Sequence, residues 1–151
     1  MKFICDVMLG KLSRYLRMLG FDAPYIKNYR ELNRLIEGSE SYYFFTRRTK
    51  DLPDGAVLVR SDHIKTQIEE VLSVIRPYFN EELVFCRCLN CNVLLMDVEK
   101  KDIEGKVPEF VYHRHDLFKT CPVCKKIYWG GTHTEHMEAF IKSILIERQP
   151  T

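Results

Sequence analysis

The chain has 151 residues, 46% hydrophobic and 29% charged, with a formal net charge of +2. This is a soluble globular composition, long enough for one ordinary domain or two small ones, and the net charge alone does not mark a polyanion binder. No run reaches the ~18 apolar residues of a membrane span, and Met1–Asp6 lacks the apolar core of a signal peptide, so six cysteines fit the reducing cytoplasm.

Residues 1–80 carry 13 Lys and Arg against 10 Asp and Glu, and the remainder 10 against 11. A polyanionic partner is therefore expected on the first half. Lys2–Cys5 reads as a short buried strand ending at Asp6. An acid there occupies the strand end where open α/β sheets build their sites, or it caps the helix that follows. Met8, Leu9, Leu12, Leu16 and Leu19 recur at helical spacing, and Gly20 ends the helix. Lys11, Arg14 and Arg17 form a basic stripe on it, either a solvated face or a grip on a phosphate near Asp6. Phe21 to Ile26 is expected as a second strand, Arg30 to Glu37 as a helix closed by Gly38, and Tyr42 to Thr46 as a third strand. A basic loop, Arg47-Arg48-Thr49-Lys50-Asp51, follows. Ala56 to Val59 is a fourth strand, and Ser61-Asp62 caps a helix from His63 to Ile75 that Pro77 stops. Strands alternating with helices predict a parallel sheet with helices on its faces, and Asp6, Asp22, Asp51 and Asp62 are the carboxylates available at its edge.

A polar boundary at Asn80-Glu81-Glu82 divides residues 1–80 from a second domain over 81–151. Leu83 to Cys88 is expected as a strand feeding the pair Cys88 and Cys91, with Val93 to Val98 returning as a hairpin and Val107 to Val111 extended. A second pair, Cys121 and Cys124, precedes a strand at Ile127–Trp129, a Gly130-Gly131 turn and a helix from Glu135 to Glu147 capped by Thr132 or Thr134. Two CxxC pairs fill the four positions of a tetrahedral Zn²⁺ and leave none open, which describes a structural zinc ribbon. Disulfides or unrelated thiols are the alternative reading, and Fe²⁺ also accepts four thiolates. Cys86 is a spare thiol, and His113, His115, His133 and His136 are not needed to close the site.

Four stretches, Phe3 to Asp22, Phe45-Thr46-Arg47, Val59 to Asp62 with Gln67, and the two knuckles with Ile127 to His133, resemble the Mut-seven C-terminal RNase domain family. That is a PIN-like nuclease fold with an appended zinc ribbon. The resemblance covers nearly the whole chain. It implies a metal-dependent ribonuclease in which Asp6 is the first ligand of Mg²⁺ or Mn²⁺, with Asp22, Asp51 or Asp62 completing the site. It implies RNA contacts from Arg14 and Arg17, joined by Lys11, Arg47 and Arg48, and zinc ligation by Cys88, Cys91, Cys121 and Cys124. The chain departs from the family at Arg48, where an acid usually follows the Thr-Arg pair; Asp51 is the nearest substitute. Exchanging an acid for a cation weakens a hard-cation site while enriching the edge for RNA, so an RNA-binding module with weakened cleavage is the second expectation. A protein-binding adaptor built on the ribbon is the third.

Overall fold

The computed structural model describes residues 1–130 and 132–146. The chain is mixed α/β and forms two compact units, Met1–Asn92 and Val93–Thr151.

In the first unit, β1 (Lys2–Cys5), β2 (Tyr42–Thr46) and β3 (Ala56–Leu58) form a parallel sheet in that order. Ile4 pairs with Phe44 and Phe45 with Val57. Parallel strands covered on both faces read as continuous apolar runs, as Phe3-Ile4-Cys5 and Phe44-Phe45 do. Side chains alternate between faces. Ile4 and Phe44 pack with Ile26 and with Leu32 of α2 (Tyr29–Glu37). Phe3 stacks on Phe45 and meets Phe21 edge-on. α1 (Gly10–Met18) packs against β1 and α3 (Ile64–Ile75).

Residues 21–26 do not form the expected strand; one parallel bridge, Cys5 to Tyr25, is all that registers. The segment still runs beside β1, with Asp22 and Pro24 carbonyls accepting from Phe3 and Cys5 amides. Pro24 has no N–H, so the donor that the ladder would send back to β1 between these bonds is missing, and the Ala23 amide, on the other side, donates to the Asn92 side chain. The start of α3 also differs from expectation. His63 is its N-cap, without a side-chain capping bond, and Asp62 instead ion-pairs with Arg47. The turn before α3 is held by Glu70, whose carboxylate accepts from the Arg60 and Ser61 amides, and by Gln67, which donates to the Ser61 carbonyl.

Gly20 sits at φ +94, past the end of α1. A Cβ there would lie 2.6 Å from the Leu83 carbonyl oxygen, a backbone atom that cannot swing aside. Gly20→Ala is therefore expected to cost about 3 kcal/mol, from left-handed strain together with overpacking. Urea denaturation checks this: the midpoint falls with little change in slope.

Residues 81–92 belong with the first unit. The Phe85 amide donates to the Met18 carbonyl, and Phe85 itself has φ +61, so a 3₁₀ turn, Glu81–Leu83, runs into a loop where a strand from Leu83 to Cys88 was expected.

The second unit has an antiparallel sheet, β4 (Met96–Val98), β5 (Phe118–Thr120) and β6 (Ile127–Tyr128), in sequence order. One buried cluster is Ile103, Val111 and Phe118, with Val98, Val107, Tyr112 and Ile127 around them, and Met137, Ile141, Ile144 and Leu145 are buried as well. Residues 109–114 form a helix, α4 (Glu109–Arg114), where extended chain was expected. The adjacent residues Val111 and Tyr112 both pack into that cluster, which the strict alternation of a strand would not allow. Glu109 in its first turn and Arg114 in its last complement the helix dipole. α5 (Thr132–Ile141) continues into a π-helical turn, Lys142–Ile146. Gly131 and Glu147 lie outside the described residues, as do the side chains of Thr132, His133 and Thr134. Among the described residues no helix is long and apolar enough to cross a membrane.

Candidate active site and metal centre

Asp6 follows β1 directly and is only 4% exposed. Its backbone amide continues the sheet by donating to the Phe45 carbonyl. One carboxylate oxygen, Oδ1, accepts from the Val7 amide at 2.7 Å. The other, Oδ2, accepts from the Thr46 hydroxyl at 2.6 Å. Thr46 is fully buried at the end of β2, and its Oγ1 accepts in turn from the Arg48 amide at 3.0 Å. The carboxylate is thus fixed by donors from two adjacent strand ends, and each oxygen keeps lone-pair capacity for a further partner. Asp6 does not cap α1; the N-cap is Leu9, with no side-chain bond, although the Leu9 amide donates to the Asp6 carbonyl.

The other three carboxylates are placed differently. Asp22 is half-buried, and its Oδ1 accepts from the Asn92 side chain at 2.7 Å. It lies level with Phe3, three residues before Asp6 on β1, or about 10 Å along a strand. Asp51 is exposed at φ 56. Asp62 is 2.6 Å from Arg47 and 75% exposed, a surface pair worth about 1 kcal/mol or less. Among the described residues, the only group of three or more acids, histidines or cysteines close enough to share an ion is a set of four cysteines. No three of the four carboxylates converge.

The basic stripe divides. Lys11 and Arg14 are exposed, whereas Arg17 is 8% exposed and works as a bracket. Its Nε donates to the Ala23 carbonyl at 3.0 Å, and its Nη1 to the Leu89 carbonyl at 2.7 Å and the Asn90 carbonyl at 3.3 Å. Burial holds its pKa below the ordinary guanidinium range, partly offset by the nearby Cys5 and Cys88 thiols. Arg17→Gln leaves buried carbonyls unpaired. With charge-assisted hydrogen bonds at ~1.5–3 kcal/mol each, we expect a loss of about 3 kcal/mol in a urea titration. Arg48 lies with its guanidinium 4.3 Å from the Tyr29 ring centroid, a cation–π contact. Burial pushes the Cys5 thiol far above its ordinary range, which makes it an inert core group.

The two CxxC turns repeat one geometry. Cys91 N–H points to Cys88 Sγ at 3.4 Å, and Cys124 N–H to Cys121 Sγ at 3.4 Å. The Asn92 amide closes the first turn onto the Cys88 carbonyl, and the Lys125 amide closes the second onto Cys121. Both closing residues have positive φ, 61 and 65. No disulfide joins any of the six cysteines, and the four sulfurs of Cys88, Cys91, Cys121 and Cys124 lie within 4.8 Å of one another. A tetrahedral Zn²⁺ with bonds of about 2.3 Å needs sulfurs about 3.8 Å apart, so the donor set fits one metal ion of that kind. His113, His115 and His136 are outside this group, and the His133 side chain is outside the described residues. Cys86 is also outside it; its thiol donates to the Glu82 and Val84 carbonyls.

A family model described as the Mut7-C RNAse domain matches residues 1–141, nearly the whole chain. The chain belongs to the Mut7-C RNAse domain family. No curated protein and no solved structure matches. Membership gives the chain a nuclease-type function and RNA as the expected interaction partner. Within this Mut7-C domain, the buried strand-end carboxylate is Asp6. Sequence reasoning did not single out the residues that support it. Thr46 is the last residue of the β-prone run, and a hydroxyl at a parallel strand end beside an acid is the signal that points to it. Asn92, which holds Asp22 rather than Asp6, follows a CxxC pair at a left-handed position that asparagine tolerates.

Proposed function

We propose that this domain is a metal-dependent ribonuclease of PIN-like type that cleaves RNA phosphodiester bonds, stabilised by a structural zinc at its four cysteines. The observation that carries the reading is Asp6, an acid buried at the C-terminal end of a parallel strand and fixed by Val7 and Thr46. Mg²⁺ is commonly held by one or two carboxylates together with water and substrate phosphate oxygens. Asp6 fits the first role, and Asp51, on the loop after β2, is the candidate for a second. A bound Mg²⁺ or Mn²⁺ supplies activation of water and stabilisation of charge on the scissile phosphate. The chain's own part is to hold that anionic oxygen still. The Thr46 hydroxyl and Val7 amide orient the Asp6 carboxylate, and the Arg48 amide in turn orients Thr46. Lys11, Arg14, Arg47 and Arg48 are the exposed or partly exposed cations available to phosphates flanking the reaction.

Arg48 also favours a second reading, an RNA-binding module with weakened cleavage. Among the described residues Asp6 belongs to no group of three acids, histidines or cysteines, and the position after Thr46-Arg47 carries a cation held against Tyr29. One experiment separates the two. The purified chain is incubated with single-stranded and structured RNAs in EDTA, Mg²⁺ or Mn²⁺. Cleavage that appears only with metal supports the nuclease. Binding without cleavage under every condition favours the module.

A further inference from the structure

An open groove of about 280 Å³ lies in the first unit, bounded by Gly10, Arg14, Arg17, Tyr25, Leu89 and Asn90. Its lining holds two guanidinium groups and no carboxylate. The two cations differ in kind. Arg17 is buried and spends its hydrogen bonds on the carbonyls of Ala23, Leu89 and Asn90. It therefore builds the wall and contributes field rather than contact. Arg14 is exposed, and its Nη1 reaches Asn90 Oδ1 at 3.5 Å, the weak limit of a hydrogen bond. An incoming anionic oxygen displaces that contact at little cost and gains a charge-assisted one. The opposite wall is Tyr25, whose ring would lie 3.4 Å from a Cβ built at Gly10, so the ring sits close over the first residue of α1. Its hydroxyl donates to the Val7 carbonyl at 2.6 Å, and the Val7 amide donates to Asp6. One wall of the groove is thus linked through Val7 to the Asp6 carboxylate.

We infer that this groove is a subsite for one nucleotide of single-stranded RNA, on the unit that carries Asp6. Arg14 takes the phosphate, Tyr25 offers an aromatic surface to base or ribose, and the Asn90 amide hydrogen-bonds the nucleotide. A guanidinium, an aromatic ring and a side-chain amide around one small concavity are the groups that single-stranded nucleic acid uses. The volume is below that of most small-molecule pockets, about 300–1,000 Å³, which suits one nucleotide rather than a larger cofactor. This inference rests on the nuclease reading only for the identity of the chain that continues past Asp6.

The test measures binding and cleavage of a fluorescein-labelled oligouridylate by the full chain, across a salt series. The variants are Arg14→Gln, Asn90→Ala and Tyr25→Ala, with Arg34→Ala, an exposed cation on α2, as the charge-matched control. Far-UV spectra and metal content confirm that each variant is folded. Arg14→Gln is expected to weaken binding about tenfold and to lower the slope of log K against log salt by about 0.7, the value for one phosphate contact on a single strand. Asn90→Ala and Tyr25→Ala are expected to weaken binding several-fold, and Arg34→Ala to stay within twofold of the parent. Equal effects from Arg14→Gln and Arg34→Ala would overturn the subsite while leaving the nuclease intact. Groove-dependent binding by a chain that cleaves under no metal condition would keep the subsite and remove the nuclease. A parent chain that binds no RNA removes both.

Discussion

Asp6→Asn is expected to abolish metal-stimulated RNA cleavage while leaving the fold in place. The substitution is isosteric. The Val7 amide can still donate to the retained carbonyl oxygen, and the Thr46 hydroxyl can rotate to accept from the new amide nitrogen. What disappears is the negative charge. A bound divalent cation contributes several kcal/mol of charge stabilisation, and 1.36 kcal/mol is a factor of ten in rate, so the expected loss is about 10³-fold. Rates are followed by gel on end-labelled RNA in Mg²⁺ and in Mn²⁺, with thermal melts run alongside. A variant that cleaves at the parental rate would move the chemistry away from β1. The companion change, Arg48→Asp, returns an acid to the position after Arg47. It loses only the contact with Tyr29, worth about 0.5–1 kcal/mol at an exposed site. It is expected to raise cleavage at least tenfold if the missing acid is what limits the parent.

The backbone of this site was legible in the sequence, and its arrangement was not. Phe3-Ile4-Cys5 and Tyr42–Thr46 are apolar, β-prone runs, and they do become the paired strands that set Asp6 beside Thr46. Gly20 marks the end of α1, where a left-handed residue is needed. The cysteine spacing placed both knuckles, because CxxC geometry is local. The failures share a cause, since each turned on a partner far away in the chain. Phe21 to Ile26 looks like a strand, but Ala23 bonds to Asn92, 69 residues on. Arg17 looks like one rung of a solvated stripe, yet it is buried because the loop at Leu89 and Asn90 folds over it. Asp62 looks like a helix cap, and Arg47 claims it. Local propensity is overridden wherever a distant donor or acceptor offers a better bond.

Loss of the cysteine-bound metal is expected to unfold the second unit. The purified chain should carry one zinc, measured by atomic emission; visible absorbance would indicate iron instead. Cys121→Ser, or a strong chelator, removes it. The apparent binding energy of structural zinc is about 10–16 kcal/mol in small zinc-dependent folds, as large as the whole stability of an ordinary domain. The sheet of the second unit is small, and beyond its cluster the unit buries one apolar helix face, Met137, Ile141, Ile144 and Leu145. Its buried cluster is Ile103, Val111 and Phe118, on a sheet whose strands are two or three residues long. Cores of that size usually need a metal, a disulfide or a partner, and no disulfide forms here. The first unit differs, with Phe3, Phe44, Phe45 and many aliphatic side chains fully buried. Two probes separate the units. Trp129 is the only tryptophan and follows β6, so its emission reports on the second unit. Tyr43 and Tyr78 pack on Phe3, so near-ultraviolet circular dichroism weights the first. Metal removal should shift Trp129 emission to the red at once while most of the tyrosine signal persists. An unchanged Trp129 spectrum in a metal-free chain would show that the ribbon folds on its apolar cluster alone.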